Sequence, residues 1–155
     1  DKIEIMSEIF DKSYSEFIKT FEVIEYVDAE KDYDKFCLVN RDNDNRKAMS
    51  LFIVYLISLD MVSASSGITL IDQLIEKFKD NIQKEHCDKI AEEICENLFI
   101  MITKCESLNI NFQNNSKWDS ITEYIKEISE KEAGDYPSLT NKIVFKCMDI
   151  IEEIV

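Results

Sequence analysis

Apolar residues recur at spacings of three, four and seven along almost the whole chain, which is the period of a helix and not of a strand. Ile3, Met6, Ile9, Phe10, Phe17, Phe21, Ile24 and Val27 open the pattern. They predict one long helix, or two joined near residues 13–15. Tyr33, Phe36, Cys37 and Val39 predict a short helical turn that ends in the polar hexapeptide 40–45, which reads as a loop. Residues 48–62 are apolar on most sides and too long for a buried strand, so a central helix is expected there. Ser63, Ala64, Ser65, Ser66 and Gly67 are expected to end it. Two amphipathic runs follow, 68–83 with Leu70, Ile71, Leu74, Ile75, Phe78 and Ile82, and 85–106 with Ile90, Ile94, Leu98, Met101, Ile102 and Cys105. After a polar connector at 109–115, Ser116 reads as the cap of a helix carrying Trp118, Ile121, Ile125 and Ile128. Gly134 and Pro137 punctuate the chain before a last helix from about Leu139 with Ile143, Cys147, Ile150 and Ile154 on one side.

The fold class is therefore all-α. Hairpins can be drawn as 48–82, 85–132 or 68–106, and 117–155, with short links that force neighbouring helices to be antiparallel. A compact bundle and a short α-solenoid of stacked pairs both fit, and the repeat is too weak for periodicity to choose. No low-complexity linker divides the 155 residues, so residues 1–155 read as one domain. Two glycines, Gly67 and Gly134, and one proline are too few for a β-sandwich or barrel, which needs a turn signal about every 8 to 12 residues.

Charge narrows the partners. Acidic side chains number 32 against 18 basic ones, a net charge of -14. Nucleic acid and anionic membranes repel such a chain unless its cations gather on one face. The longest apolar stretch, 51–59, is about half of what spans a bilayer, and the N-terminus lacks the basic-then-apolar order of a secretory signal. Because Asp1 stands where an initiator Met would be, the chain is expected to be processed or cut from something longer.

Candidate chemistry is thin. Cys37, Cys87, Cys95, Cys105 and Cys147 include no Cys-x-x-Cys pair, and His86 and Cys87 point about 100° apart on a helix, so reduced, mostly buried thiols are expected and no metal. His86 reads as a solvated surface imidazole. The pairs Glu92-Glu93 and Glu152-Glu153, and Asp28 with Glu30, read as solvated helix faces, since none stands in an apolar context. Ser63, Ser65 and Ser66 have no base nearby. Phe52, Phe78, Phe99 and Phe145 are assigned to core packing; Trp118 and Tyr136, at loop–helix junctions, fit partner anchors and local packing equally.

Four segments carry a resemblance. Phe52-Ile53-Val54-Tyr55-Leu56-Ile57-Ser58-Leu59-Asp60-Met61-Val62, after Asn45-Arg46-Lys47, is similar to the F-I-G-E-L-F-K-L-x-M-L pattern of the middle domain of eukaryotic translation initiation factor 4 gamma. Ile9-Phe10-Asp11-Lys12-Ser13-Tyr14-Ser15-Glu16 resembles I-F-E-K-A-x-x-E-P, and Ala91-Glu92-Glu93-Ile94-Cys95-Glu96-Asn97-Leu98 resembles E-x-x-C-x-L-L. Thr140-Asn141-Lys142-Ile143-Val144-Phe145-Lys146-Cys147-Met148-Asp149-Ile150-Ile151 resembles S-S-R-I-R-F-M-L-Q-D-V-L. The four occur in the family's order. Val54 replaces the glycine of the first pattern, Glu16 lacks the following proline, and Val144 replaces the second arginine of the last.

The resemblance implies an α-solenoid of antiparallel pairs of the HEAT type, with no catalytic activity and no cofactor. It implies a translation initiation scaffold in the cytoplasm that docks a DEAD-box RNA helicase of the initiation factor 4A type, with other initiation factors reached through regions outside this chain. Family members commonly bind RNA; the charge of -14 makes that contact weak or indirect here and suits basic patches on a helicase. Lys142 matches the first arginine of the last pattern, and with Asn141 and Tyr136 forms the expected partner-binding set. The alternative is a helical interaction module of another pathway, such as an RNA-decay adaptor or a viral bundle sequestering a host helix. Sixteen lysines against two arginines fit an AT-rich genome, such as that of a large DNA virus or a low-GC protist.

Overall fold

The computed structural model describes residues 1–155 apart from the side chain of Ile3, so that the place of Ile3 in the first apolar stripe lies outside the described residues. The fold is all-α: among the described residues there are six α-helices and no strand. They are α1 (Lys2–Lys19), α2 (Tyr33–Ser58), α3 (Ala64–Ile82), α4 (Asp88–Ser107), α5 (Ser116–Ser129) and α6 (Asn141–Ile154), with a 3-10 turn at Thr20–Val23 after α1.

Caps explain most of the starts. Oδ1 of Asp32 accepts from the Lys35 amide at 3.0 Å, Oγ of Ser63 from Ser66 at 3.1 Å, and Oγ1 of Thr140 from Ile143 at 3.4 Å. Each cap contributes on the order of 1 kcal/mol. Asn115, and not Ser116, caps α5, its Oδ1 accepting from Lys117 at 3.0 Å and Trp118 at 3.3 Å. Residues with positive φ mark the breaks: Asp60, His86, Asn109, Asn114 and Gly134. Asp, Asn and His tolerate that region better than most side chains, which is how a chain with two glycines makes its turns.

Three sequence expectations need correction. Residues 40–45 form no loop, because α2 runs unbroken from Tyr33 to Ser58 with those polar side chains largely on its solvent face. Neither glycine nor proline interrupts it, and its buried residues, Arg46, Ser50, Ile53, Val54 and Ile57, all lie in its C-terminal half. Gly67 does not end a helix; it lies in the first turns of α3, where a Cβ would sit 2.5 Å from Cδ1 of Ile57, so its lack of a side chain lets α3 approach α2. Residues 48–62 are not the centre either, since Met49, Phe52, Tyr55, Leu59 and Met61 are exposed.

The centre is α4. It packs against α2, α3, α6 and the 3-10 turn, and buries Ala91, Ile94, Leu98, Met101, Ile102 and Cys105. Pair contacts give its direction relative to its neighbours. Ser50 Oγ donates to Asn97 Oδ1 at 2.6 Å and Lys104 lies 5.3 Å over the Tyr55 ring, so numbers rise together and α2 and α4 are parallel. Lys142 beside Glu92 and Lys146 beside Glu96 make α4 and α6 parallel by the same reading. On the other side, Lys117 meets Thr69 and Tyr124 meets Phe78, so α3 and α5 are parallel. The Tyr14 hydroxyl donates to the Leu70 carbonyl, and Lys77 pairs with Glu22 at 3.0 Å, which sets α1 and its 3-10 turn along α3. Alternate helices thus share a layer: α1, α3 and α5 in one, α2, α4 and α6 in the other.

Candidate docking surfaces

The residues expected to bind a partner lie on one loop and the helix after it. Residues 130–140 are pinned to the α3–α4 link by Ser138, which is 1% exposed. Its amide donates to Ile82 O at 2.9 Å, its hydroxyl donates to Lys84 O, and the same oxygen accepts from the Cys87 amide at 2.9 Å. Gly134 turns this loop at φ 95. The Tyr136 ring is half-buried against the core, whereas Asn141 and Lys142 are exposed in the first turn of α6. The structure therefore sets all three in sequence around the α6 start, with Tyr136 in a largely packing role.

Lys142 is not a free cation. Its Nζ lies 3.8 Å from Glu92 Oε2 and 4.0 Å from Glu96 Oε1. Glu92 also faces Lys89 at 3.4 Å and accepts from the Thr140 hydroxyl at 3.1 Å, and Glu96 faces Lys146 at 3.6 Å. Contrary to the reading of Glu92-Glu93 as a solvated face, Glu92 is 9% exposed and Oε2 of Glu93 is buried. Spacing alone could not reveal this, because the face opposite the core stripe of α4 is covered by a second neighbour. The ladder ties α6 to α4 through the Thr140–Glu92 hydrogen bond at 3.1 Å, and its partly exposed ion pairs at 3.6–4.0 Å add at most about 1 kcal/mol each.

What the ladder presents is apolar. Phe145 is 59% exposed and Met148 43% exposed on the outer face of α6, beside Asn141 and Lys142. The assignment of Phe145 to the core is overturned, and that of Phe52, 55% exposed, with it; Phe78 is buried and Phe99 half-buried beneath Lys146 at 4.4 Å. A helical wheel carries the signal: Phe145 lies roughly 200° around from Ile143, away from the stripe Ile143, Cys147, Ile150 and Ile154. Trp118 packs on Phe112 with ring centroids 4.6 Å apart, which accounts for it locally.

A second apolar surface lies at the other end. Unlike α3 with α4 or α5 with α6, α1 and α2 stand apart. A groove of about 350 Å³ opens between them, lined by Met6, Ile9 and Phe10 of α1 and Met49, Phe52 and Leu56 of α2. Phe10 and Tyr14, which stack with ring centroids 6.3 Å apart, also line it, and Tyr14 packs in turn on Phe17, whose ring meets Phe21 edge-on. No sequence pattern singled out this groove, because its lining has the same spacing as core.

His86 is exposed in the α3–α4 link. Burial pushes the Cys105 thiol up to about 12, and a hydrogen bond with Cys147, then burial, raises Cys95. Ser63 and Ser66 share a 2.9 Å hydrogen bond at the α3 cap. Among the described residues no group of three or more His, Cys, Asp or Glu could hold a metal ion, and no helix is long and apolar enough to cross a membrane. No family model matches the chain, and neither a curated protein nor a solved structure matches it.

Proposed function

We propose that this chain is a non-enzymatic scaffold, an α-solenoid of stacked antiparallel helical pairs of the HEAT type, that docks a DEAD-box RNA helicase of the initiation factor 4A type in the cytoplasm. Two parallel layers of alternate helices support the stacked-pair reading, since an up-down bundle makes neighbours antiparallel on every side. The naming of the partner rests on the four resembling segments. The observation that carries the docking face is the pair Phe145 and Met148, exposed on α6 next to Asn141 and Lys142 and backed by the Glu92–Glu96 ladder. An apolar anchor ringed by polar groups is the pattern of an interface hot spot.

The mechanism needs no chemistry in the scaffold. A partner that prefers one arrangement of the helicase lobes shifts the helicase toward it by its differential affinity, about 1.4 kcal/mol for each tenfold of population ratio. The acidic surface speeds encounter with basic patches and repels RNA.

Titrating immobilised helicase with the wild-type chain and with Phe145→Gln tests the reading. A loss of affinity of at least tenfold in the variant is expected. Equal affinity of the two proteins, or no binding by the wild type, would overturn it.

A further inference from the structure

We infer that Cys95 of α4 and Cys147 of α6 form a redox latch, in which a hydroperoxide oxidant joins the facing thiols as a disulfide and locks the two helices together. The latch does not depend on what α6 docks.

The pairing is geometric. Cys95 Sγ lies 4.0 Å from the Ile143 carbonyl oxygen, and Ile143 stands one helical turn before Cys147 on α6. The two thiols share a hydrogen bond inside the seam, where both residues are buried. No other cysteine competes. Along α4, Cys87 stands at the start about 12 Å before Cys95 and Cys105 about 15 Å after it, and Cys37 is exposed on α2. Among the described residues no third ligand joins the pair into a metal set.

Closed, the pair is inert. Burial and the hydrogen bond with Cys147 hold Cys95 as a thiol, and the thiolate is the attacking species. The reaction therefore runs through an opening of α6, which breaks the Thr140–Glu92 hydrogen bond, parts the lysines of α6 from Glu92 and Glu96, and sets the rate. One thiolate then attacks a peroxide oxygen and becomes a sulfenic acid as the O–O bond breaks; the hydroxide released takes the thiol's proton and leaves as water. The second thiolate attacks that sulfur, and its hydroxyl leaves as a second water. Two thiols and one hydrogen peroxide give one disulfide and two waters, with two electrons passing from sulfur to oxygen. The cross-link closes a loop of about fifty residues, which restricts the unfolded chain and stabilises α6 on α4.

The test treats the folded chain carrying Cys37→Ser and Cys87→Ser with hydrogen peroxide, then denatures it in excess iodoacetamide. Three cysteines remain in that protein, so the untreated sample should take three labels and the oxidised one a single label. Proteolysis should release one linked peptide pair, joined through Cys95 and Cys147. The oxidised protein should melt at least about 5 °C above the same sample reduced with dithiothreitol. Adding Cys147→Ala should abolish the linked pair; the peptide map of its parent decides the matter even where that variant melts early. Three labels after oxidation, labels lost without a linked pair, a link through Cys105, or an oxidised protein that melts no higher would each overturn the inference.

Discussion

The α4–α6 seam and the α1–α2 pair are built from similar residues and come out opposite. At the first, two parallel helices close on each other: Ile94, Leu98, Ile143, Val144 and Cys147 are buried, and Lys89, Lys142 and Lys146 share Glu92 and Glu96. At the second, Met6, Ile9, Met49 and Phe52 stay in water along an open groove. The difference teaches where each quantity resides. Stability is concentrated around α4, which has neighbours on three sides, and the face proposed for docking, on α6, is an outer one that no neighbour covers.

The largest way to break that contrast is to empty the centre. Leu98→Ala, at a site 1% exposed, should lose about 2–5 kcal/mol in a urea titration, as buried leucines do when a cavity remains. Removing the ladder comes next. Glu92→Ala takes the acceptor from Thr140 and the shared anion from Lys89 and Lys142, and should cost about 1–3 kcal/mol by the same measurement.

Alkaline pH sharpens the comparison without mutation. The Cys105 thiol is raised from 9.0 to about 12 in the folded protein by burial, with Glu106 adding to the shift. A raised pKa on an acidic group means the unfolded chain ionises first. The stability from this thiol is fully present below about pH 9 and is lost as pH climbs toward 12, at up to ~1.4 kcal/mol per pH unit. Tyr14, whose hydroxyl burial also raises, acts in the same direction on α1. Urea midpoints should fall above pH 9, and Cys105→Ala should flatten the fall. The smallest stability effects belong to Phe52→Gln and Phe145→Gln, within about 0.5 kcal/mol of wild type, because both rings are already more than half exposed.

Much of this was legible in the sequence. The stripes of α3, α4 and α6 predict Leu74, Phe78, Leu98 and Ile143 as core, and all are buried. α2 was not legible, because 40–45 looks the same in a loop and on the wet face of a long helix, and no residue of α2 before Arg46 is buried. The site residues were half-legible. Asn141 and Lys142 do stand exposed on the α6 start, but a single helix cannot tell that Lys142 is claimed by two carboxylates of α4. Phe145 needed only the helical wheel; the α1–α2 groove needed the tertiary spacing of two helices, which no local pattern encodes.

The most direct test of the central claim is the ATPase rate of a 4A-type helicase measured with increasing amounts of the purified chain. The account predicts a saturable rise that Phe145→Gln reduces at least tenfold in potency while its melting curve is unchanged. A helicase rate indifferent to the wild-type chain at every concentration would contradict it.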